Sequence, residues 1–271
     1  MTRAQLKYAA KDVMRRAVPS VILTTLLYLL MTQVVSYVVE LFMEDPMALY
    51  LSFLDYGYPA EWAISQALAQ VNLPVYFFLT LLVSLYATVV RYGYAFCMMR
   101  AARGQEYTYG GLISQFYLAW KIILLTVLEF IFVYLWALLF FIPGIIAAYR
   151  YRQSIYLLLD HPEWSPLQCI RESKRMMFGH KMELFVLDLS FLGWMFLVLF
   201  AGGLLGTGIG YVFYGASMWI GELLALAVGI ALALWLTPYM ELTYIHYHDQ
   251  LSAQPQHMGE EPPRYDDDPW A

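Results

Sequence analysis

Long apolar runs constrain this chain more than any other feature of its sequence. Residues 18–42 and 73–99 are predominantly apolar, and a helix needs about 20 such residues to cross the hydrocarbon core of a bilayer. Charged residues make up only 14% of the chain, against about a quarter in soluble domains. The sequence therefore predicts an all-α, polytopic transmembrane helical bundle.

About six spans account for the hydropathy of residues 18–248, which we interpret as the transmembrane helical domain. A basic amphipathic leader, residues 1–17, precedes it on the cytoplasmic side. An acidic tail, residues 249–271, follows it and has too little apolar surface to fold, so we expect disorder there. The six predicted spans cover residues 18–42, 73–99, 120–142, 145–159, 183–205 and 219–239.

The third and fourth spans are predicted to form a broken hairpin. Residues 116–159 are largely apolar over about twice the length that one crossing needs. Pro143 removes a backbone donor and clashes with the preceding turn, and Gly144 frees the backbone to reverse or kink. We therefore expect a hinge at Pro143 and Gly144.

The distribution of Lys and Arg predicts the orientation of the chain. The leader and the loops at residues 100–116 and 160–182 are basic, whereas the connections at residues 43–72 and 206–218 contain no Lys or Arg. Positive loops stay on the cytoplasmic side. Six spans satisfy this rule, with both termini cytoplasmic in a bacterial plasma membrane, whereas five spans would put the 160–182 loop outside.

Part of the basic loop at residues 160–182 resembles a helix that lies in the membrane interface. Within residues 166–178 the apolar side chains fall near helical spacing with cations between them, a pattern typical of interfacial helices. Anionic lipid at the cytoplasmic face is the expected partner, although an ordinary solvated run of charges is equally compatible. The cations of the whole 160–182 loop are Arg171, Lys174, Arg175 and Lys181.

Six ionisable residues fall within the spans at similar depth. At about 1.5 Å of rise per residue, each lies roughly 9–15 Å from the cytoplasmic end of its span. Lone charges at such depth are costly, so we expect pairing, with Glu129 matched to Arg150 and Asp188 to Arg152. The alternative is that the charges snorkel to the interface. The predicted polar layer comprises Arg91, Glu129, Arg150, Arg152, Asp188 and Glu241.

Several motifs in the second half resemble one bacterial membrane family. They are Ile142-Pro143-Gly144-Ile145-Ile146, Ser173-Lys174-x-Met176-Met177-x-Gly179-x-Lys181 and Leu187-Asp188-Leu189-Ser190-Phe191-x-Gly193-Trp194. These blocks are similar to the uncharacterised integral-membrane family called domain of unknown function nine-seven-five, most clearly from about residue 136 to 247. The resemblance implies a multi-pass bacterial membrane protein and brings no reaction, substrate or catalytic residue.

No motif predicts a catalytic, cofactor or metal site. Zinc, acyl-transfer and phosphate-loop signatures are absent, and the two cysteines, Cys97 and Cys169, lack metal-type spacing. A nucleic-acid partner is not expected. Gly202, Gly206 and Gly210 have the small-xxx-small spacing of packed membrane helices or a homo-oligomer, but they fit an external turn equally well.

Three hypotheses for the function follow. The leading one is a non-enzymatic membrane protein that organises the bilayer or binds lipid or a protein partner. The alternative is a small transporter or channel-like protein, because ionisable residues within spans often line a polar pathway. An intramembrane enzyme that uses Glu129 or Asp188 is the third.

Overall fold

The computed structural model describes residues 2–42, 45–203 and 218–253, and the regular elements within these ranges are helices. In chain order they are α1 (Arg3–Arg16), α2 (Val21–Phe42), α3 (Pro46–Asp55), α4 (Ala60–Gln70), α5 (Leu73–Ala102), α6 (Gly111–Ser114) with the 3-10 helix Gln115–Leu118, α7 (Ala119–Leu139), α8 (Phe141–Tyr151), α9 (Ser154–Asp160), α10 (Pro166–Met176), α11 (Lys181–Gly203) and α12 (Met218–Ala253).

Four segments of the described chain are long and apolar enough to cross a membrane. They confirm the prediction of an all-helical membrane protein at this coarser level. A further long helix, α11, coincides with the fifth predicted span, but its side chains are described only as far as Phe196. The four segments are Val21–Val39, Leu73–Ala102, Gly111–Leu139 and Ala227–Ala253.

The bundle has one packed end and one end whose apolar side chains point outward. Lipid tails are as apolar as these outward side chains, so the bundle gains little by burying them. The packed end, in contrast, holds the polar and basic segments and needs a core. The largest fully buried side chains lie there and include Met98, Leu112, Ile122, Leu158, Leu184, Leu187, Phe191, Leu242 and Ile245. The outward side chains include Tyr37, Leu41, Phe77, Phe78, Phe130, Leu138 and Phe196.

The break in the long apolar segment of residues 116–159 lies at Phe140 rather than at the predicted hinge. Phe140 is extended, with φ −158° and ψ 149°, and α8 begins at the next residue. Pro143 is therefore in the first turn of α8, where its missing N–H costs no helical hydrogen bond. Gly144 serves close packing, since a Cβ there would lie 2.7 Å from the Cβ of Ala137.

The chain after Phe140 runs back along α7 in antiparallel register. Near the break Gly144 faces Ala137, and further along the rings of Tyr151 and Phe132 are 6.0 Å apart. At the other end the Lys121 ammonium donates to the carbonyl of Pro162 at 2.6 Å. Helix α8 thus packs against α7, whereas α9, which follows a turn at residues 152–153, packs on α10 and α5.

Both ends of the described chain join the packed end. In α1, Leu6 and Ala10 are buried, and the Lys7 ammonium lies 4.1 Å from the centre of the Phe191 ring. The leader therefore shares the core of the domain. Helix α12 continues to Ala253, beyond the predicted start of the tail at residue 249. The remaining tail, residues 254–271, and the glycines Gly206 and Gly210 lie outside the described residues.

One helix crossing depends on a glycine. A Cβ on Gly93 of α5 would lie 1.9 Å from the backbone oxygen of Leu112 in α6, far inside the range of real contacts. The short helix α6 therefore packs directly on the backbone of α5. This contact anchors the start of the Gly111–Leu139 segment to the core.

Candidate functional site

Hydroxyl groups from α8 and α9 bond to the three carboxylates of the predicted polar layer. The Ser154 hydroxyl bonds to Glu129 on α7. The Tyr149 hydroxyl donates to Asp188 on α11 at 2.9 Å, and the Tyr156 hydroxyl donates to Glu241 on α12 at 3.0 Å. The broken returning segment thus supplies hydroxyl donors to acids from three different helices. Its side chains hold α7, α11 and α12 around one polar region.

Arg152 lies at the centre of this region. Its guanidinium sits 5.0 Å from the centre of the Tyr244 ring, in the range of a cation–π interaction. It is also within electrostatic range of Glu129, Asp188 and Glu241. The structure therefore brings these members of the predicted layer together, although among the described residues no ion pair joins Arg152 to Asp188.

The other two cations of the layer differ in their surroundings. Arg150 is only 6% exposed, and its backbone carbonyl accepts a hydrogen bond from the Ser173 hydroxyl at 2.8 Å. That hydroxyl accepts in turn from the backbone N–H of Gln153 at 3.1 Å, which ties α8 to α10. Arg91 is exposed on α5, within electrostatic range of Glu129.

A half-open groove of 330 Å³ lies between α8, α11 and α12. This volume is at the lower end of the range of about 300–1,000 Å³ that is common for ligand sites. Its lining is partly polar and partly apolar, and the apolar side chains that α11 contributes are exposed. The polar lining consists of Tyr149, Arg152, Asp188 and Tyr244, and the apolar lining of Phe185, Leu189, Leu192, Met195 and Met240.

The face of α11 and α12 that packs against α1 differs from the face that forms this groove. The Lys7 ammonium donates to the carbonyl of Ser190 at 3.3 Å, and the Lys11 ammonium lies 5.3 Å from the centre of the Tyr239 ring. Helix α1 thus covers one face of the α11–α12 pair. The groove on the other face remains open.

A second polar cluster joins three elements at the packed end. Arg103 follows α5 and donates two hydrogen bonds to Asp160 at the end of α9, at 2.5 and 2.9 Å. It also donates to Asp249 of α12 at 2.6 Å. We call Arg103, Asp160 and Asp249 the arginine clamp. One guanidinium thereby holds the ends of three helices together.

His248 extends the arginine clamp into the core. The His248 side chain is fully buried, with Nε2 3.3 Å from Asp160 and Nδ1 3.1 Å from the amide oxygen of Gln153. Burial alone would raise the pKa of Asp160, but the hydrogen bonds from Arg103 and His248 outweigh it and hold that pKa well below its usual range. The carboxylate is therefore ionised in the folded protein at neutral pH.

The basic loop forms α10, and the bundle covers most of its apolar face. Of the side chains expected to enter the interface, Ile170 and Met177 are buried in the core. The difference arises because α10 packs on α7 and α9, which occupy the face that was expected to meet lipid. Leu167 and Phe178 remain exposed. Arg171, Lys174 and Arg175 are also exposed, whereas Lys181 is half-buried.

The cysteines and acids form no metal site among the described residues. Cys97 and Cys169 are both free and buried. Burial raises the pKa of the Cys169 thiol to about 11, which keeps it protonated and unreactive. No group of three His, Cys, Asp or Glu side chains within the described ranges is placed to hold an ion.

Sequence reasoning found the charges of the layer but missed their hydroxyl partners. Tyr149, Ser154 and Tyr156 belong to an apolar stretch in which a tyrosine or serine has no distinctive pattern. One signal was available: Tyr149 and Tyr244, which both line the groove, each follow a proline by six residues. In the structure, the two tyrosines come from α8 and α12 and meet in the lining of the same groove.

Comparison with known proteins supports the resemblance seen in the sequence. A family model described as "Protein of unknown function (DUF975)" matches residues 138–255. The matched part begins at the end of α7 and contains the groove. Comparison with curated proteins and with solved structures gave no match. Residues 138–255 of this chain are thus similar to the family of unknown function DUF975.

Proposed function

We propose that this chain is a six-span, non-enzymatic protein of a bacterial plasma membrane, and that its groove between α8, α11 and α12 binds a membrane amphiphile. The groove itself is the observation that carries the proposal. Its lining includes charges of both signs, Arg152 and Asp188, beside apolar side chains that are exposed. An amphiphile has a polar head and an apolar tail and fits such a site.

The six-span arrangement is supported by the way the chain after Phe140 runs back along α7. Helix α7 has 21 residues, which gives a length of about 31 Å and matches the hydrocarbon core. The returning segment from Phe141 to Asp160 follows it in the antiparallel direction from Ala137 to Lys121. A helix of membrane length and a returning chain that contacts it near both of its ends favour two spans.

The cytoplasmic orientation rests on the position of the basic residues. The leader, Arg103 and α10 all lie at the packed end of the bundle. The acidic segment with α3 and α4 lies at the opposite end of α5 and contains no Lys or Arg. This asymmetry favours a cytoplasmic packed end. We expect the exposed cations Arg171, Lys174 and Arg175 to meet anionic lipid there.

A non-enzymatic role is supported by the state of the two acids that the sequence singled out. Glu129 bonds to Ser154 and Asp188 to Tyr149, so the two carboxylates lie on different helices with separate partners. Each carboxylate therefore bonds one helix to another.

Transport is a second candidate, and one observation favours it. Ionisable groups also lie beyond the lining of the groove, since Arg152 is within electrostatic range of Glu129 and Glu241. A chain of ionisable groups inside a bundle is typical of a pathway for ions or polar solutes. A measurement of substrate flux through proteoliposomes would separate a transporter from an amphiphile-binding protein.

Cysteine labelling in whole cells tests the six-span proposal. With Cys97 and Cys169 replaced by Ala, single cysteines are introduced at the exposed positions Ala60 on α4 and Gln168 on α10. An impermeant thiol reagent added outside should label position 60 and should label position 168 only after lysis. Labelling of position 168 in intact cells would exclude six spans and support five.

A photoactivatable lipid tests the binding proposal. A phospholipid with a diazirine in its acyl chain should crosslink to the exposed wall of α11, at Leu189, Leu192 and Met195. Leu192→Trp should fill the groove and reduce crosslinking there at least about fivefold, which corresponds to roughly 1 kcal/mol. Crosslinks spread evenly over α2, α5 and α11, with no effect of the tryptophan, would exclude a groove-bound lipid.

A further inference from the structure

We infer that the groove selects a phospholipid with an ethanolamine headgroup, whose ammonium meets Asp188 and whose phosphate meets Arg152. This inference rests on the proposed function, since it names the chemical class of the amphiphile. Ethanolamine phospholipids carry a primary ammonium and a phosphodiester a few atoms apart. The groove presents one charge complementary to each.

The first step is that the two charged side chains of the groove do not form an ion pair with each other. Asp188 accepts a hydrogen bond from the Tyr149 hydroxyl, and the Arg152 guanidinium lies 5.0 Å from the centre of the Tyr244 ring. No ion pair or hydrogen bond links Arg152 with Asp188 within the described part of the chain. Charges in an apolar setting are costly unless paired. A zwitterionic ligand between them would pair both at once, without adding net charge to the site.

The second step is that one of the two carboxylate oxygens of Asp188 lacks a hydrogen-bond donor. Its Oδ1 is buried and has no partner among the described residues. An orphaned buried acceptor costs about 1–3 kcal/mol, and more when the group is charged. Asp188 is among the residues that line the groove, so a ligand there can bring a donor to this carboxylate. A primary ammonium offers three N–H donors, whereas the trimethylammonium of choline offers none.

The third step is that Arg152 is ready for a phosphate. The guanidinium carbon lies 5.0 Å from the centre of the Tyr244 ring, and a cation–π contact of this kind does not occupy the N–H groups with hydrogen bonds. These N–H groups donate no hydrogen bond to another described residue. A guanidinium binds a phosphate through two parallel hydrogen bonds. The exposed position of Arg152 in the groove gives a ligand access to it.

Depth and the apolar wall agree with a lipid that reaches the groove from the membrane. Asp188 is seven residues from the start of α11 at Lys181, or about 10 Å along the helix. That places the groove near the boundary between headgroups and hydrocarbon when Lys181 lies at the membrane surface. Leu189 and Met195 are 51% and 44% exposed and continue the wall toward the bilayer centre, where acyl chains lie.

An anionic phospholipid fits less well. Its phosphate would satisfy Arg152, but its headgroup has no cation for Asp188. The phosphate would instead approach the carboxylate without compensation, which like-charge repulsion disfavours. Selection against anionic lipid in the groove is therefore expected from the same residues that select the ammonium.

The test measures crosslinking of three lipids that share one diazirine-labelled chain and differ only in headgroup: ethanolamine, choline and glycerol. The purified full-length protein is reconstituted with each, and crosslinks to α11 are quantified by mass spectrometry. Wild type should favour the ethanolamine lipid about fivefold or more. Asp188→Asn should reduce that lipid to the level of the choline lipid, and Arg152→Gln should reduce all three.

Two controls carry matched changes outside the groove. Glu61→Gln on α4 and Arg16→Gln on α1 remove exposed charges and should leave the headgroup ratios unchanged. Each variant is first checked for wild-type elution and thermal midpoint. Should Asp188→Asn fail to fold, Asp188→Glu provides the second measurement: it keeps the charge and should keep the preference for ethanolamine over choline.

The outcomes separate the two proposals. Equal labelling of the groove by all three lipids in wild type, or an unchanged ethanolamine preference in Asp188→Asn, would overturn the headgroup assignment and leave amphiphile binding intact. Preference for the glycerol lipid would likewise overturn it in favour of an anionic ligand. Absence of labelling at the groove, with no effect of Leu192→Trp, would overturn the proposed function itself.

Discussion

The arginine clamp at the packed end should be a measurable source of stability. Asp160→Asn removes the charge that accepts two hydrogen bonds from Arg103 and leaves one carbonyl acceptor in its place. Hydrogen bonds to charged groups contribute about 1.5–3 kcal/mol when buried. The side chains of Arg103 and Asp160 are 29% and 25% exposed, so solvent screening reduces this figure. We expect a loss of about 1–2 kcal/mol.

Thermal unfolding in detergent with a thiol-reactive fluorescent dye measures this loss. The dye reports unfolding because Cys97 and Cys169 are free and buried in the folded protein. At about 2–4 °C per kcal/mol, the midpoint of Asp160→Asn should fall by about 2–8 °C at pH 7. Glu61→Gln, an equal change of charge on an exposed helix, should leave the midpoint unchanged.

The pH dependence gives a second, independent check of the same contact. Because the hydrogen bonds from Arg103 and His248 lower the pKa of Asp160, its contribution is complete above the unfolded pKa of about 4 and is lost as the pH falls toward the folded value. The midpoints of wild type and Asp160→Asn, followed by circular dichroism because thiols do not react with the dye in acid, should therefore converge below pH 4. Equal midpoints at pH 7, or a gap that stays constant down to pH 3, would refute the reasoning.

Three further substitutions test the packing and the polar layer. Gly93→Ala places a Cβ 1.9 Å from the α6 backbone and should cost about 3 kcal/mol in the dye assay, whereas Gly229→Ala meets nothing within 4 Å and should cost nothing. Gly144→Leu should separate α8 from α7 and reduce the yield of folded protein; normal yield and midpoint would argue against the close packing. Asp188→Arg alone should lower that yield, and the double exchange with Arg152→Asp should restore part of it because the charges remain within electrostatic range. A double variant no better than the worse single one would show that the two charges are not coupled.

The sequence alone was sufficient for the class of fold and for the ends of most helices. Apolar runs of about 20 residues can be stable only as helices in lipid, so α2, α5 and α7 begin and end within three residues of the predicted spans. Helix α3 was not predicted, although Asp45 caps it and Pro46 is its first residue. None of its side chains is buried, so its sequence gives no clear periodic signal of a core-facing helix.

The sequence also indicated the charges of the site, because an ionisable residue inside an apolar run is conspicuous. It could not indicate how those charges are partnered. Hydrogen bonds from Tyr149 to Asp188 and from Tyr156 to Glu241 join residues 39 and 85 positions apart. Such contacts depend on the rotation of each helix about its axis, which the packed end determines.

The groove is likewise a product of tertiary structure. Its walls come from α8, α11 and α12, and it stays open because the break at Phe140 directs α8 back along α7 while α1 covers the other face of the α11–α12 pair. In a membrane the solvent is as apolar as the helix surfaces, so hydropathy determines which segments are helical and leaves their pairing open. Close contacts such as Gly144 with Ala137, and the hydrogen bonds of buried polar groups, decide that pairing.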